Sequence, residues 1–217
     1  MALAIFDLDN TLIGGDSDYL WGEFLVEQKI VAGKAYQQAN QDFYEQYLAG
    51  TMDIFEFLAF QLKPLADNSI ADLLVLRKQY LKEKIEPIIL KAGRELIAYH
   101  QNRGDTTLII TATNSFIAAP IAENLGISNF IATEPEIVDG IYTGKVSGTP
   151  SYQYGKVERL ESWLYEQQLS LVGSYFYSDS HNDLPLLKLV ENPVAVDPDP
   201  KLSAIAKQQD WQVITLR

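Results

Sequence analysis

The chain opens with a short apolar run. Residues 2–6, Ala-Leu-Ala-Ile-Phe, are continuously hydrophobic, which suits a strand buried on both faces of a parallel sheet. From Asp16 to Lys84 the period becomes helical. Leu20, Trp21, Phe24 and Leu25 fall at i, i+1, i+4 and i+5, and Tyr36, Phe43 and Tyr47 repeat at heptad-like spacing. Ile54, Phe55, Leu58 and Leu62 form a third stripe, which Pro64 is expected to stop, and Ile70, Leu73, Leu74 and Leu81 form a fourth. Four amphipathic helices in so few residues read as a small four-helix bundle. From about residue 85, strands and helices alternate. The pattern predicts strands over 107–111, 130–132, 175–178, 194–196 and 213–215. It predicts helices near 91–102, 115–125, 156–168, 184–190 and 201–208. Between 134 and 146 the alternation breaks. There Asp139-Gly140, set between Ile137-Val138 and Ile141-Tyr142, marks a hairpin with a type I′ turn. The expected fold is α/β. A doubly wound, Rossmann-like parallel sheet comprises residues 1–15 and 85–217, and a helical insertion, 16–84, follows its first strand.

Composition narrows the function. The 217 residues carry 17 Lys+Arg against 29 Asp+Glu, a net charge of -12, with 47% hydrophobic residues and no cysteine. Such a chain fills a core, which argues against disorder. Without cysteine there is no disulfide framework, no Cys-based zinc site and no thiol catalysis. The acidic balance argues against a nucleic-acid partner, which needs a basic face. Residues 2–6 are too short for the apolar segment of a signal peptide, and no run nears the roughly 18 residues of a membrane span. The expectation is a cytoplasmic protein off the membrane. An acidic protein still binds phosphate where one cation is placed locally.

Open parallel sheets bind ligands at the carboxyl ends of their strands, and Asp7 and Asp9 fall at such an end. Two carboxylates two residues apart in extended chain face the same side and repel unless a cation or proton intervenes. The pair alone reads equally well as a solvated turn opening the next helix. A second strand runs into Ser178-Asp179-Ser180-His181-Asn182-Asp183, again rich in acids, which would gather Asp7, Asp9 and Asp179 around one point. Hard oxygen ligands without cysteine favour Mg²⁺. The segment Thr111-Ala112-Thr113-Asn114 ends a buried strand with hydroxyls and then a helix, whose N-terminal amides suit an anion. Lys156 opens a helix, where its charge opposes the helix dipole and so hints at a role beyond structure.

Taken in order, Phe6-Asp7-Leu8-Asp9-Asn10-Thr11, then Thr111, then Lys156, then Ser178 to Asp183 resemble the four motifs of the haloacid dehalogenase (HAD) superfamily of phosphatases. The match spans nearly the whole chain. The insertion straight after the first motif resembles the cap of the phosphoserine-phosphatase-like subgroup, subfamily IB. The resemblance implies a Mg²⁺-dependent phosphomonoester phosphatase working through an aspartyl-phosphate. Asp7 would be the nucleophile and Asp9 the general acid and then base. Asp7, Asp179 and the backbone carbonyl of Asp9 would hold Mg²⁺, with Asn182 and Asp183 orienting that shell. Thr111, Ala112, Asn114, Asn182 and Lys156 would bind the phosphate ester, Lys156 also holding Asp7. An acid two residues after the nucleophile suits a leaving alkoxide that needs a proton. Gly14-Gly15 and residues 83–87 would be hinges of a lid.

The resemblance also implies that Asp16, nine residues after Asp7 and close to Asp18, grips a substrate amine. Related phosphatases use a cap arginine for a substrate carboxylate, yet residues 16–76 contain no arginine. Three lysines there stand against ten acids, leaving -7 of the whole chain's -12. Solvation accounts for most of these acids. The rest suggest a cationic, carboxylate-free ester, with L-histidinol phosphate ahead of phosphoserine. Tyr19, Trp21, Phe43, Tyr44 and Tyr47 could pack an imidazole, though helical spacing also fits a bundle core. The expected partner is thus a small phosphorylated metabolite of amino-acid biosynthesis. Monomer and homodimer both stay open. A phosphotransferase or mutase would share the aspartyl-phosphate, and a receiver-like phospho-accepting module would share the acids, Mg²⁺ and lysine. His100 is expected to be exposed at a polar helix end, and His181 to be solvated in its loop.

Overall fold

In a computed structural model, residues 2–217 are described. Seven strands form one sheet in the order β4-β3-β2-β1-β5-β6-β7. They are β1 Leu3–Phe6, β2 Thr106–Asn114, β3 Asn129–Val138, β4 Ile141–Ser147, β5 Tyr175–Ser178, β6 Asn192–Val196 and β7 Gln212–Ile214. All neighbours are parallel except β3 and β4, which pair antiparallel. The hairpin between them turns at Asp139 and Gly140, with φ of 51° and 77°, as a type I′ turn requires. β3 is far longer than expected from its apolar triplet, because its second half continues as the hairpin arm. Pairing there replaces the burial that marks the other strands.

The alternation along β1 explains why the sheet is covered on both faces. Ala4 and Phe6 join one apolar cluster, while Leu3 and Ile5 join another on the opposite face. The first cluster continues into the helices that follow β1, through Trp21, Phe24, Leu58 and Leu62. Each such side chain contributes about 1.5–3 kcal/mol of burial. The chain goes from β1 to β2 on one side of the sheet and later to β5 on the other. The strand order therefore reverses between β1 and β5, where open α/β sheets form their ligand crevice.

Four helices lie between β1 and β2: α1 Ser17–Glu27, α2 Gly33–Ala49, α3 Ile54–Asp67 and α4 Ile70–Tyr80. Asp16, Asp53 and Ser69 cap α1, α3 and α4 by accepting backbone N–H groups. Pro64 does not stop its helix. It sits inside α3, and the Asn68 amide donates to its carbonyl at 2.8 Å, so burial of Leu62 and Leu65 outweighs the missing N–H. After α4 the chain tightens through a π turn, Leu81–Ile85, and a 3₁₀ turn, Glu86–Ile88. It returns beside its own departure point. Gly14 N–H donates to Ile88 O at 2.7 Å, and Leu90 N–H donates to Leu12 O at 3.1 Å.

The remaining helices are α5 Lys91–Asn102, α6 Ser115–Asn124, α7 Tyr154–Gln167, α8 Leu184–Leu187 and α9 Pro200–Gln208. The helix expected over 184–190 is reduced to the single turn of α8, preceded by a 3₁₀ turn, His181–Asp183. His100 is not exposed. It is fully buried, its Nδ1 donating to Asp105 at 2.9 Å and its Nε2 meeting Tyr177 Oη at 2.8 Å. Two polar partners allow a histidine to sit in the core. Among the described residues no helix is long and apolar enough to cross a membrane.

Candidate active site

The site lies at the carboxyl ends of β1, β2 and β5. Asp7 follows directly on β1, and its N–H donates to Tyr177 O of β5 at 2.9 Å, which fixes the two strand ends side by side. Asn10, with φ of 55°, then turns the chain back, so that Asp7 and Asp9 sit on a compact loop. Asp7 is 4% exposed. Lys156, on the first turn of α7, is 2% exposed, and its Nζ donates to Asp7 Oδ1 at 2.8 Å. The same ammonium meets Asp183 at 2.7 Å, and Asp183 also accepts from Ser178 Oγ at 2.7 Å. Lys156 therefore meets no bare helix dipole, because two carboxylates balance it. Delivery of this lysine depends on Gly155. A Cβ there would lie 2.0 Å from Pro150 O, so only glycine lets the loop close onto the start of α7.

Asp9 faces the other way. Its Oδ1 accepts Ser17 N–H at 2.6 Å, and its Oδ2 accepts from Thr113 Oγ1 at 2.9 Å and Thr111 Oγ1 at 3.2 Å. This cradle holds Asp9 across a cavity from Lys156, and both residues line it. Thr113 went unassigned from the sequence. The signal was present, since residues i and i+2 of one strand present their side chains to one side.

Asp179 follows β5. Its N–H donates to Thr11 Oγ1 at 3.1 Å, while that hydroxyl lies 3.2 Å from Asp179 Oδ1 and 3.5 Å from Asp7 Oδ2. One hydroxyl proton cannot serve both carboxylates. Thr11 is thus a second residue whose placement between Asp7 and Asp179 the motif alone did not assign. Electrostatics agrees with a shortage of positive charge. Burial pushes Asp7 up to about 8, with Lys156 working against the rise and Asp183 and Asp9 adding to it. Burial also raises Asp179 well above its ordinary value, with Asp7 and Asp183 adding to it. Burial lowers Lys156, but Asp183 and Asp7 outweigh that and hold it firmly protonated.

This donor set fits a hard divalent cation. Two carboxylates share too few donors, and Mg²⁺ takes one or two carboxylates with waters and a phosphate oxygen. Among the described residues no three His, Cys, Asp or Glu side chains form a ready metal cage. The Asp9 side chain is engaged by Ser17 and the threonines, so any part it takes in binding a metal falls to its backbone carbonyl.

Beyond Asp7 the cavity is walled by the helical insert. Asp16, Asp18 and Tyr19 of the first turn of α1 line it, with Phe43, Tyr44 and Tyr47 of α2. Trp21 does not. It is buried against Phe24, Tyr80 and Phe116 as core. Burial lifts Asp16 to about 7, Asp9 adding to the effect while the N–H groups of Tyr19 and Asp18 oppose it. Ala112 lines the cavity beside Thr111, while the Asn114 amide turns to Asp18 at 3.0 Å.

Asn182 faces the insert. Its Oδ1 accepts from Tyr152 Oη at 3.3 Å and Gln153 Nε2 at 3.2 Å, and its Nδ2 donates to Tyr47 O at 3.0 Å. Its neighbour His181 is held rather than solvated. Nδ1 donates to Asp199 Oδ2 at 2.7 Å, and Nε2 lies 3.3 Å from Lys201 Nζ, which itself donates to Ala49 O at 2.6 Å. The loop after Asp179 and the start of α9 thus grip the C-terminal carbonyls of α2.

Known proteins resemble the chain throughout. The family model "haloacid dehalogenase-like hydrolase" matches residues 4–188. A histidinol-phosphatase of Neisseria meningitidis serogroup C (strain 8013) is 45% identical over 219 residues, 99% of this chain and 99% of its own. A phosphoserine phosphatase of Mycobacterium tuberculosis (strain ATCC 25618 / H37Rv) is 34% identical over 100% of this chain and 71% of its own. A solved phospho-aspartyl intermediate analogue of phosphoserine phosphatase shares the fold, with a TM-score of 0.72 at 19% identity, covering 100% of this chain and 93% of that one.

Proposed function

The chain belongs to the haloacid dehalogenase-like hydrolases and is a phosphatase, and from that premise we propose that it hydrolyses a small, amine-bearing phosphate monoester through an aspartyl-phosphate on Asp7. The observation that carries the reading is the buried pairing of Asp7 with Lys156 at 2.8 Å, with Asp9 held separately across the same cavity.

Each residue then has one task. Lys156 fixes Asp7 and favours its anion against the rise that burial imposes, and its charge opposes the repulsion between carboxylate and phosphate. A bond forms between an Asp7 carboxylate oxygen and phosphorus as the bond from phosphorus to the ester oxygen breaks. Asp9 gives its proton to that leaving oxygen. It then takes a proton from the water that attacks phosphorus, releasing phosphate and restoring Asp7. Thr111, with the backbone amide at Ala112, receives the phosphoryl oxygens, while Asn114, turned to Asp18 and outside the cavity lining, does not reach them. Mg²⁺, held by Asp7, Asp179 and the Asp9 carbonyl, supplies when bound further positive charge against the anionic phosphate. Residues 16–84 act as a cap on a core of 1–15 and 85–217.

Asp16 takes the substrate amine. Among the described residues Lys156 alone is basic in the cavity lining, and it is already engaged by Asp7 and Asp183, so a substrate carboxylate finds no partner there. Two relatives named for phosphate esters that carry an amine support this class.

A panel of small phosphate esters assayed with Mg²⁺ tests the proposal. Asp7→Asn should abolish turnover while leaving the thermal melt intact, and EDTA should do so reversibly. Turnover above trace level in folded Asp7→Asn would refute covalent catalysis by this residue.

A further inference from the structure

The first turn of α1 brings a second acid, Asp18, into the cavity beside Asp16. Asp18 is 5% exposed, and its surroundings are short of donors. Asn114 Nδ2 donates to its Oδ1 at 3.0 Å, and Gln61 Nε2 donates to its backbone carbonyl at 2.8 Å. Both amides are themselves buried, at 1% and 0% exposure, and their other ends, Asn114 Oδ1 and Gln61 Oε1, have no partner. A buried carboxylate thus shares its neighbourhood with two orphaned acceptors. Leaving such groups unmet is unfavourable, so something that donates is missing.

Among the described residues the insert holds one buried donor without a partner, the Tyr36 hydroxyl on α2, and it makes no hydrogen bond to Asp18. Lys156 is engaged by Asp7 and Asp183. Arg77, on α4, donates to Phe116 O at 2.8 Å and stacks on the Phe116 ring, away from the cavity. Of Asp18, Asn114 and Gln61, Asp18 alone lines the cavity, so a ligand there can bring a donor to its carboxylate. Asp16 already accounts for one amine. The walls next to the two acids are aromatic, with Tyr19 and Tyr44 in contact at 4.9 Å between ring centres. Such walls suit a flat ring that carries positive charge.

We propose that Asp18 is a specificity-determining residue that takes a second N–H group of the leaving alcohol, so that the preferred ester carries both an aliphatic ammonium and a basic heteroaromatic ring. This rests on the phosphatase reading and deepens it. Asp16 and Asp18 together select a dication-like amino alcohol, whereas an ester bearing a carboxylate meets two like charges.

Two esters with the same aminoalkyl phosphate end separate the roles: L-histidinol phosphate, which has the ring, and 2-aminopropyl phosphate, which lacks it. The native enzyme should favour the first. Asp18→Asn keeps the shape and the Asn114 contact. It should lower kcat/KM for histidinol phosphate about tenfold or more, mainly through KM, while changing 2-aminopropyl phosphate less than about threefold. Equal losses on both esters, or no loss on either, overturn the role of Asp18 while leaving the phosphatase reading standing. Hydrolysis of neither ester by the native enzyme overturns both. Product inhibition of the native enzyme removes dependence on the variant's folding. Histidinol should inhibit at least about tenfold more strongly than 2-aminopropanol, and equal inhibition also overturns the proposal.

Discussion

Lys156→Met is the sharpest perturbation of the site. Methionine keeps an unbranched apolar stem and removes only the ammonium, which contacts Asp7 at 2.8 Å and Asp183 at 2.7 Å. Two carboxylates then remain buried without a counter-ion. Removing one partner of a buried ion pair costs about 3–5 kcal/mol. That is a large share of the roughly 5–15 kcal/mol that holds a typical domain folded. For a chain of this size it converts to a fall in Tm of roughly 6–20 °C. The loss should depend on pH. Burial already lifts Asp7 to about 8 against the pull of Lys156, so without the lysine it rises further. A group whose folded pKa is raised contributes stability below its unfolded pKa and loses it as pH rises through the folded value. Asp7 stays protonated in both folded proteins up to about pH 7, so the deficit should be level there and grow as pH rises above about 8, where only the native protein ionises Asp7 beside its lysine. Urea melts of native and variant protein in EDTA, at about pH 6 and about pH 9.5, measure it. A deficit below about 1 kcal/mol at about pH 9.5, or one equal at both values, would show that the ammonium does not neutralise this pair. Lys156→Met with Asp183→Asn, which removes one of the two carboxylates, should recover part of the loss.

Three further outcomes are expected. Asp9→Asn should give a burst of about one equivalent of nitrophenolate from p-nitrophenyl phosphate and then turn over slowly, because that leaving group needs no proton but the attacking water must still lose one to a base; a slow trace without a burst would speak against the split role. Gly50→Ala should cost about 1–2 kcal/mol in a urea melt, since Gly50 has φ of 73° and an added Cβ would lie 2.6 Å from His181 Nε2; an unchanged midpoint would mean that the end of α2 is not seated on His181. His100→Leu should lower stability by about 1–3 kcal/mol, because it leaves the buried Tyr177 hydroxyl without a partner and strips Asp105 of its histidine bond, leaving only Ala2 N–H and Arg103 on that carboxylate; thermal melts check this.

The strands of the sheet were legible wherever burial wrote them as apolar runs, as at β1 and β5. They were not where pairing alone sustains them, as in the outer half of β3. Pro64 misled for a related reason. A proline forfeits one helical hydrogen bond, but the apolar stripe on both sides of it in α3 has more to bury than that bond is worth. The acids and lysine of the site stood in the sequence as polar residues at strand ends and helix starts. Their partners were harder to see. Thr11 and Thr113 act through single hydroxyls whose targets are 168 and 104 residues away. His100 looked solvated because its helix is polar, yet the partners that let it enter the core come from Asp105 and Tyr177. Long-range complementarity of this kind carries no local periodicity.

The crossing point at the base of the insert has a consequence for history as well as motion. Gly14 and Ile88 are hydrogen-bonded neighbours, so the chain that leaves after the first loop comes back to where it left. Excising everything between them would join two residues that already touch, and splicing in a different segment with close ends would leave the sheet undisturbed. The scaffold can therefore trade one recognition module for another without rebuilding the residues that break the phosphate bond. Descent by exchange of inserts, and laboratory grafting of a foreign insert at the same two positions, become small steps from this architecture.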